Sequence, residues 1–350
     1  MQIRKKIWGS FGEGRLIYLI EICSRNGSFI RVTNLGATLV SVVVPDAKGN
    51  QRDIVLGYNS PDAYLGDQNY MGSTIGRFAN RIKNASFTIG DKHYSLEANE
   101  GNNINHGGIN GFHKKLWDTE IIDNGVLFSY LSKDGDSGFP GNVDVSVRYL
   151  FSEDMEMTIQ YEGKSDRETY LNLTNHAYFN LDETGSILLH SLYIPFTSIL
   201  ETDYTFIPTG RQLDVRNTPF DFTSPHILGK QIFTSHEQLI PARGYNQYYI
   251  SPNFGKNGMM LFCRLFGPLK GRVLEMFSDL PGFILYTGNF LNSDKPGKSG
   301  NFYKPYDGIC LEAQYYPDTP NHEKFPSCLI APEVPYRHSV IYRFLTVPKG

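Results

Sequence analysis

The feature that most restricts how this chain can fold is a period-two alternation of apolar and polar residues between Val143 and Glu162. Val143, Val145, Val147 and Tyr149 alternate with Asp144, Ser146 and Arg148; beyond Ser152-Glu153-Asp154, Met155, Met157, Ile159 and Tyr161 alternate with Glu156, Thr158 and Gln160. Successive side chains of a strand point to opposite faces, so the pattern predicts two half-buried antiparallel strands joined by a short turn. Residues 87–89 and 94–96 flank Gly90-Asp91 in the same manner, and 119–122 and 126–130 flank Asp123-Asn124-Gly125, which predicts two further hairpins. Long helical windows are scarce, 34 Gly and 19 Pro supply turn punctuation, and 22 Tyr with 23 Phe suit pleated, half-buried surfaces. The expected class is all-β, with large antiparallel sheets and few short helices. No fixed repeat, low-complexity tract or linker divides the chain, so residues 1–350 read as one domain. The loosest stretch, 292–305, reads as an exposed excursion between strands.

Composition narrows the function classes. With 33 Lys+Arg against 36 Asp+Glu the formal charge is −3, which lacks the basic excess of a dedicated nucleic-acid binder. Cys23, Cys263, Cys310 and Cys328 form no C-x-x-C pair and read as small buried hydrophobes rather than a disulfide framework or a thiolate zinc site. The basic start at 1–8 is followed by an apolar stretch, 16–23, that is short and contains Glu21, which fits neither a signal sequence nor a membrane span. A cytoplasmic protein with no nucleic-acid or membrane partner, a monomer or weak homodimer, is the expectation.

Two segments place ionisable groups among strand-like apolar residues: Leu173-Thr174-Asn175-His176-Ala177-Tyr178-Phe179-Asn180-Leu181 and Ile309-Cys310-Leu311-Glu312-Ala313-Gln314. If each is one strand, His176 shares a face with Thr174 and Tyr178, and Glu312 shares one with Cys310 and Gln314. A His and a Glu facing one cleft form an acid–base pair able to move protons at two oxygens of one substrate. Local sequence leaves open a core histidine satisfied by carbonyls and a buried carboxylate paired with an Arg. The loop Asn99-Glu100-Gly101-Asn102-Asn103-Ile104-Asn105-His106-Gly107-Gly108 offers His106 on a flexible backbone, or a plain surface turn; Asn80 and Arg81 offer donors for sugar or carboxylate oxygens, or a surface cation. Nine His notwithstanding, no H-x-H or H-E-x-x-H spacing appears, and Walker A, G-x-G-x-x-G and G-x-S-x-G motifs are absent, so no metal or cofactor is expected.

Taken in order, GRFANRI at 76–82, HGGINGFHKKLW at 106–117, LTNHAYFNL at 173–181, IPTG at 207–210, YTGNFL at 286–291 and LEAQYYPDTPNHEKFPS at 311–327 resemble the aldose 1-epimerase (galactose mutarotase) family. The resemblance implies a galactose-mutarotase-like β-supersandwich, a free monosaccharide as substrate, and α/β anomer exchange of aldohexoses such as galactose and glucose without a cofactor. It implies that His176 is the general acid and Glu312 the general base, and that Asn80, Arg81 and His106 hold sugar hydroxyls and the ring oxygen. Tyr178 is expected as an aromatic platform.

Three positions depart from the family pattern. Asn246 stands where an acceptor Asp is usual; it keeps an oxygen but loses the charge, and the resemblance therefore implies a shifted hydroxyl preference that includes Asn246 as a binding residue. Leu280 stands where Gln often precedes Pro-Gly, implying an unfilled hydrogen-bonding position, and Asn105 replaces a usual Leu, implying a reorganised loop. A carbohydrate-binding or sensing protein on the same scaffold, motivated by Asn246 and Leu280, is the alternative. An epimerase for phosphorylated hexoses ranks below it, since no phosphate cradle is recognisable.

Overall fold

A computed structural model describes every residue except 183–184, 257 and 348–350. The alternating window forms the antiparallel strands Val143–Phe151 and Glu156–Ser165, and the other hairpins form at Ser86–Ile89 with Lys92–Ser95 and at Asp118–Ile122 with Gly125–Ser132. Met155 differs from expectation: it lies in the turn with φ 57°, so the second strand begins one residue later.

These strands belong to a nine-stranded sheet whose middle is held by the chain's last strand, Tyr336–Thr346, paired with Glu156–Ser165 on one side and Arg272–Ser278 on the other. A six-stranded antiparallel sheet runs in the order Tyr178–Phe179, Ile309–Ala313, Gly282–Tyr286, Asn246–Ile250, Ser198–Thr202, Pro208–Asp214. Period two sorts its side chains. Phe179, Ile309, Leu311, Ala313, Phe283, Leu285 and Tyr249 join Val145, Val147, Ile159 and Tyr161 of the larger sheet in one hydrophobic cluster. Tyr178, Cys310, Glu312, Ile284 and Tyr248 alternate with them, and this second face carries the candidate site.

A five-stranded sheet, starting with Gln2–Phe11, packs alongside. Its second strand, Arg15–Cys23, is the short apolar stretch read above; Glu21 pairs there across strands with Arg4 at 3.3 Å and Arg31 at 2.8 Å. The sole α-helix among the described residues is Pro61–Gly66, and none is long and apolar enough to cross a membrane.

Three further expectations are refined. Cys263, Cys310 and Cys328 are buried, but Cys23 is half-buried beside Glu21. Residues 292–305 are an anchored excursion: the Tyr303 hydroxyl donates to the Gly57 carbonyl at 2.8 Å, and Lys298 Nζ reaches Asp53 and the Val55 carbonyl, each at 2.8 Å. Leu280 is core, 1% exposed, and packs in the apolar cluster shared by both sheets, not at the hydrogen-bonding position expected there.

Candidate active site

The strand Ile309–Ala313 positions Glu312. Its odd-numbered residues are anchored in the apolar core, so Cys310 and Glu312 turn together to the opposite face. His176 arrives differently from expectation. The segment 173–181 is not one strand: Thr174–Asn175 pairs with Thr74–Ile75, Tyr178–Phe179 pairs with Ile309–Cys310, and His176 sits where the chain crosses between these partners. Its backbone is fixed on both sides, its N–H donating to the Ser73 carbonyl at 3.0 Å and its carbonyl accepting the Gly72 N–H at 2.9 Å.

The two groups meet. His176 Nε2 lies 3.6 Å from Glu312 Oε1, both side chains are almost wholly buried, and Glu312 Oε2 is buried without a hydrogen-bond partner. An unsatisfied buried carboxylate oxygen is costly, and a substrate hydroxyl would relieve it. Burial pushes Glu312 up to about 8 from an ordinary 4.5, partly opposed by the Arg81 charge. Burial also pushes His176 down to about 4 from 6.5, partly opposed by its own main-chain carbonyl. Between those limits the pair holds one proton.

They open on a cavity of about 190 Å³ that is also lined by Asn80, Arg81, His106, Tyr178 and Asn246, so the structure brings together the residues given catalytic or binding roles from sequence, while Leu280 lies apart in the core. Asn80 and His106 are braced reciprocally: the Asn80 N–H donates to His106 Nδ1, and the His106 N–H donates to the Asn80 carbonyl, each at 3.2 Å. Both adopt left-handed backbone, φ 68° and 52°. Because Nδ1 accepts that bond and burial keeps the imidazole neutral, Nε2 carries the His106 proton and acts as a donor. This bears on metal binding. His106, His176 and Glu312 lie within 4.8 Å of one another, a spacing an ion could bridge, yet the lone pair of His106 is already engaged by Asn80.

Sequence reasoning missed Glu100 and Tyr70. Glu100 takes both Arg81 Nε and Arg81 Nη2 (2.8 Å to Oε1) and also accepts from Asn105 Nδ2 at 3.3 Å. Asn105, the departure from Leu, thus holds the loop carboxylate that clamps Arg81. Asp318 supports the same arginine from behind, its N–H donating to the Arg81 carbonyl at 2.7 Å and its Oδ1 accepting the Lys83 N–H at 2.9 Å. Tyr70 packs on His106, His113 and His176, with ring centroids 4.8, 4.7 and 5.8 Å away. The one sequence signal for Glu100 was an acid in the loop that carries His106; Tyr70 had none. Tyr178 lines the cavity and stands 5.1 Å from the His176 ring, its hydroxyl donating to the Asn69 carbonyl, so the ring also backs the imidazole. Asn246 comes from the strand beside Gly282–Tyr286, and Ile284, directly across from Glu312, gives the cavity an apolar wall.

Comparison with known proteins follows the same lines. The family model described as aldose 1-epimerase matches residues 18–343. The chain is 38% identical over 317 residues to galactose mutarotase of Bos taurus, covering 90% of each. It is 32% identical over 339 residues to aldose 1-epimerase of Escherichia coli (strain K12), covering 95% of this chain and 96% of the other. Among solved structures, a C. elegans aldose epimerase homologue superposes with TM-score 0.87 at 30% identity over 94% of this chain and 99% of that one. Galactose 1-epimerase from Lactobacillus acidophilus superposes with TM-score 0.86 at 25% identity over 99% of both.

Proposed function

The chain belongs to the aldose 1-epimerase family, and from that premise we propose that it exchanges the anomers of free aldohexoses, galactose and glucose among them, with Glu312 and His176 as the proton-transferring pair. It is an isomerase of the mutarotase type acting on a free sugar. The observation that carries the residue assignment is the 3.6 Å approach of His176 Nε2 to Glu312 Oε1 in a buried polar cavity.

In the reaction, Glu312 takes the proton of the anomeric hydroxyl while His176 gives its Nε2 proton to the ring oxygen. The C1–O5 bond breaks, the aldehyde forms, and rotation about C1–C2 presents the other carbonyl face for reclosure. Proton counting supports the reading. Ring opening turns imidazolium with carboxylate into imidazole with carboxylic acid, so the pair holds one proton before and after. Burial favours the uncharged form, which is the form present with the open chain. Asn80, Arg81, His106 and Asn246 orient the hydroxyls.

The binding-only alternative loses one of its two motives, since Leu280 lies in the core. A phosphorylated substrate is disfavoured because Arg81 is already claimed by Glu100. Polarimetry of freshly dissolved α-galactose and α-glucose tests the proposal: the protein accelerates both, and Glu312→Gln or His176→Asn lowers the rate by about 10²–10⁴-fold, the usual worth of a positioned acid or base. No acceleration across a panel of aldoses, or either variant retaining the native rate, would sink it.

A further inference from the structure

We propose that Cys310 is a positioning residue for this pair: its sulfur accepts the Nδ1 proton of His176, which leaves Nε2 as the nitrogen that exchanges protons. The inference rests on the acid–base reading above and assigns a residue that reading does not use.

Cys310 Sγ lies 3.5 Å from His176 Nδ1, and among the described residues it is the side chain within hydrogen-bond distance of that nitrogen. The opposite nitrogen faces Glu312 at 3.6 Å. One strand therefore brackets the imidazole, because residues two apart share a face: Cys310 meets one ring nitrogen and Glu312 the other. The remaining groups around the ring are Tyr70, Tyr178, Tyr286 and His106, with His113 and Arg81 beyond them. None of these side chains is paired with Nδ1; the one further acceptor beside the ring is the main-chain carbonyl of His176 itself, and the sulfur is the side-chain acceptor.

The catalytic cycle needs an Nδ1–H. When imidazolium gives its Nε2 proton to the ring oxygen, the neutral ring left behind is protonated at Nδ1 and has its lone pair at Nε2, ready to take the proton back. A fixed acceptor at Nδ1 preserves that tautomer, the role a second partner plays for any working histidine. Sulfur suits the task because it accepts weakly, so it orients the ring without holding it charged. Burial and the nearby Glu312 raise the thiol well above its ordinary 9.0, so Cys310 stays a thiol and does not compete for the proton. The reverse arrangement, S–H donating to Nδ1, would place the imidazole proton on Nε2 and block its return from the sugar.

The test uses the full chain with Cys310→Ala and Cys310→Ser, polarimetric kcat and KM across pH, and ¹⁵N spectra of the histidines. Expected for Cys310→Ala is a fall in kcat of about 3- to 10-fold, the rate equivalent of one weak hydrogen bond, with KM unchanged. Its acid limb should move to lower pH, because the charged imidazole loses an acceptor. Cys310→Ser, which keeps an acceptor, should recover most of the rate, and Nδ1 of His176 in the unaltered protein should give a protonated-nitrogen shift. Native kcat and an unmoved acid limb in Cys310→Ala, a loss that Ser does not restore, or an unprotonated Nδ1 would each overturn the inference. Should the Ala variant not fold, the Ser variant and the spectrum of the unaltered protein still decide. An inactive His176→Asn beside a native Cys310→Ala defeats this inference alone; an active His176→Asn defeats the acid–base reading itself.

Discussion

Glu312 is held where its chemistry is useful and its presence is costly. Its carboxyl titrates near 8 in the folded protein against 4.5 when solvated, so the folded state retains a proton between these values that the unfolded state has released. Stability contributed by such a group is present at low pH and falls as pH rises through 4.5 to 8. His176, lowered from 6.5 to about 4, acts in the other direction, adding stability as pH rises from 4 to 6.5. The two effects oppose each other in the acid range and leave a net loss between about 6.5 and 8. Glu312→Gln, which cannot ionise, should therefore gain stability relative to the unaltered protein across that window, measured as the difference in denaturant midpoint at pH 6.5 and 8; a constant difference would contradict the buried-carboxyl account. The same pair sets the rate profile. Below about 4 a second proton disables the base, and above about 8 the acid is lost, so kcat/KM should be bell-shaped with limbs near those values, read by polarimetry with correction for the spontaneous reaction. Asn246, facing the same cavity, sets preference rather than rate: Asn246→Asp restores a charged acceptor and should change the ratio of kcat/KM for galactose and glucose by about 3- to 10-fold, the range of one hydrogen bond.

Secondary elements locate these residues by close backbone approach. A Cβ on Gly107 would lie 2.0 Å from the Gly76 carbonyl oxygen, and φ is 77°, so the turn after His106 is closed to any side chain. Gly107→Ala should displace His106 from Asn80, lower kcat/KM and cost about 1–3 kcal/mol in melting experiments. Gly101, at φ 60° with nothing within 4 Å of a Cβ, is the control: Gly101→Ala meets backbone strain alone, about 1 kcal/mol, and leaves kcat/KM unchanged. The same scale shows what was legible in sequence. The hairpin from Val143 to Ser165 could be read because each strand buries one face, which writes period two into the chain. In Ile309–Ala313 all five residues are buried, so periodicity vanishes and only the polar Glu312 among apolar neighbours marked it. The crossing at His176 was illegible because two-residue pairings depend on partners about 100 residues earlier and 130 later, not on local pattern. Glu100 was hidden for a related reason: an acid in a Gly/Asn loop resembles surface until Arg81 is placed opposite it.

The molecule as a whole depends on its last strand. Tyr336–Thr346 joins four strands ending at Ser165 to four others, Arg272–Ser278, Met260–Phe266, Ser191–Tyr193 and His226–Ile227, so without it the nine-stranded sheet is two smaller sheets with open edges. It also reaches the second sheet: the Tyr342 hydroxyl donates to the Leu311 carbonyl at 3.0 Å, next to Glu312, and Val340, Tyr342 and Phe344 enter the cluster shared by both sheets. Closure that waits for residues more than 170 positions apart, such as Glu156 with Arg343, is slow, since loop entropy is spent before the contact forms. Truncation after Pro335 should accordingly abolish the cooperative unfolding transition as well as mutarotation, with dye binding to exposed apolar surface in place of native near-ultraviolet dichroism. Tyr342→Phe separates the two roles of the strand. It keeps the pairing and the buried ring but removes one hydroxyl, so it should fold, lose about 0.5–1.5 kcal/mol in denaturant unfolding and retain an unchanged m-value. A truncated protein that still melts cooperatively would show that the two halves are stable apart, and that the site on the smaller sheet does not need the larger one closed behind it.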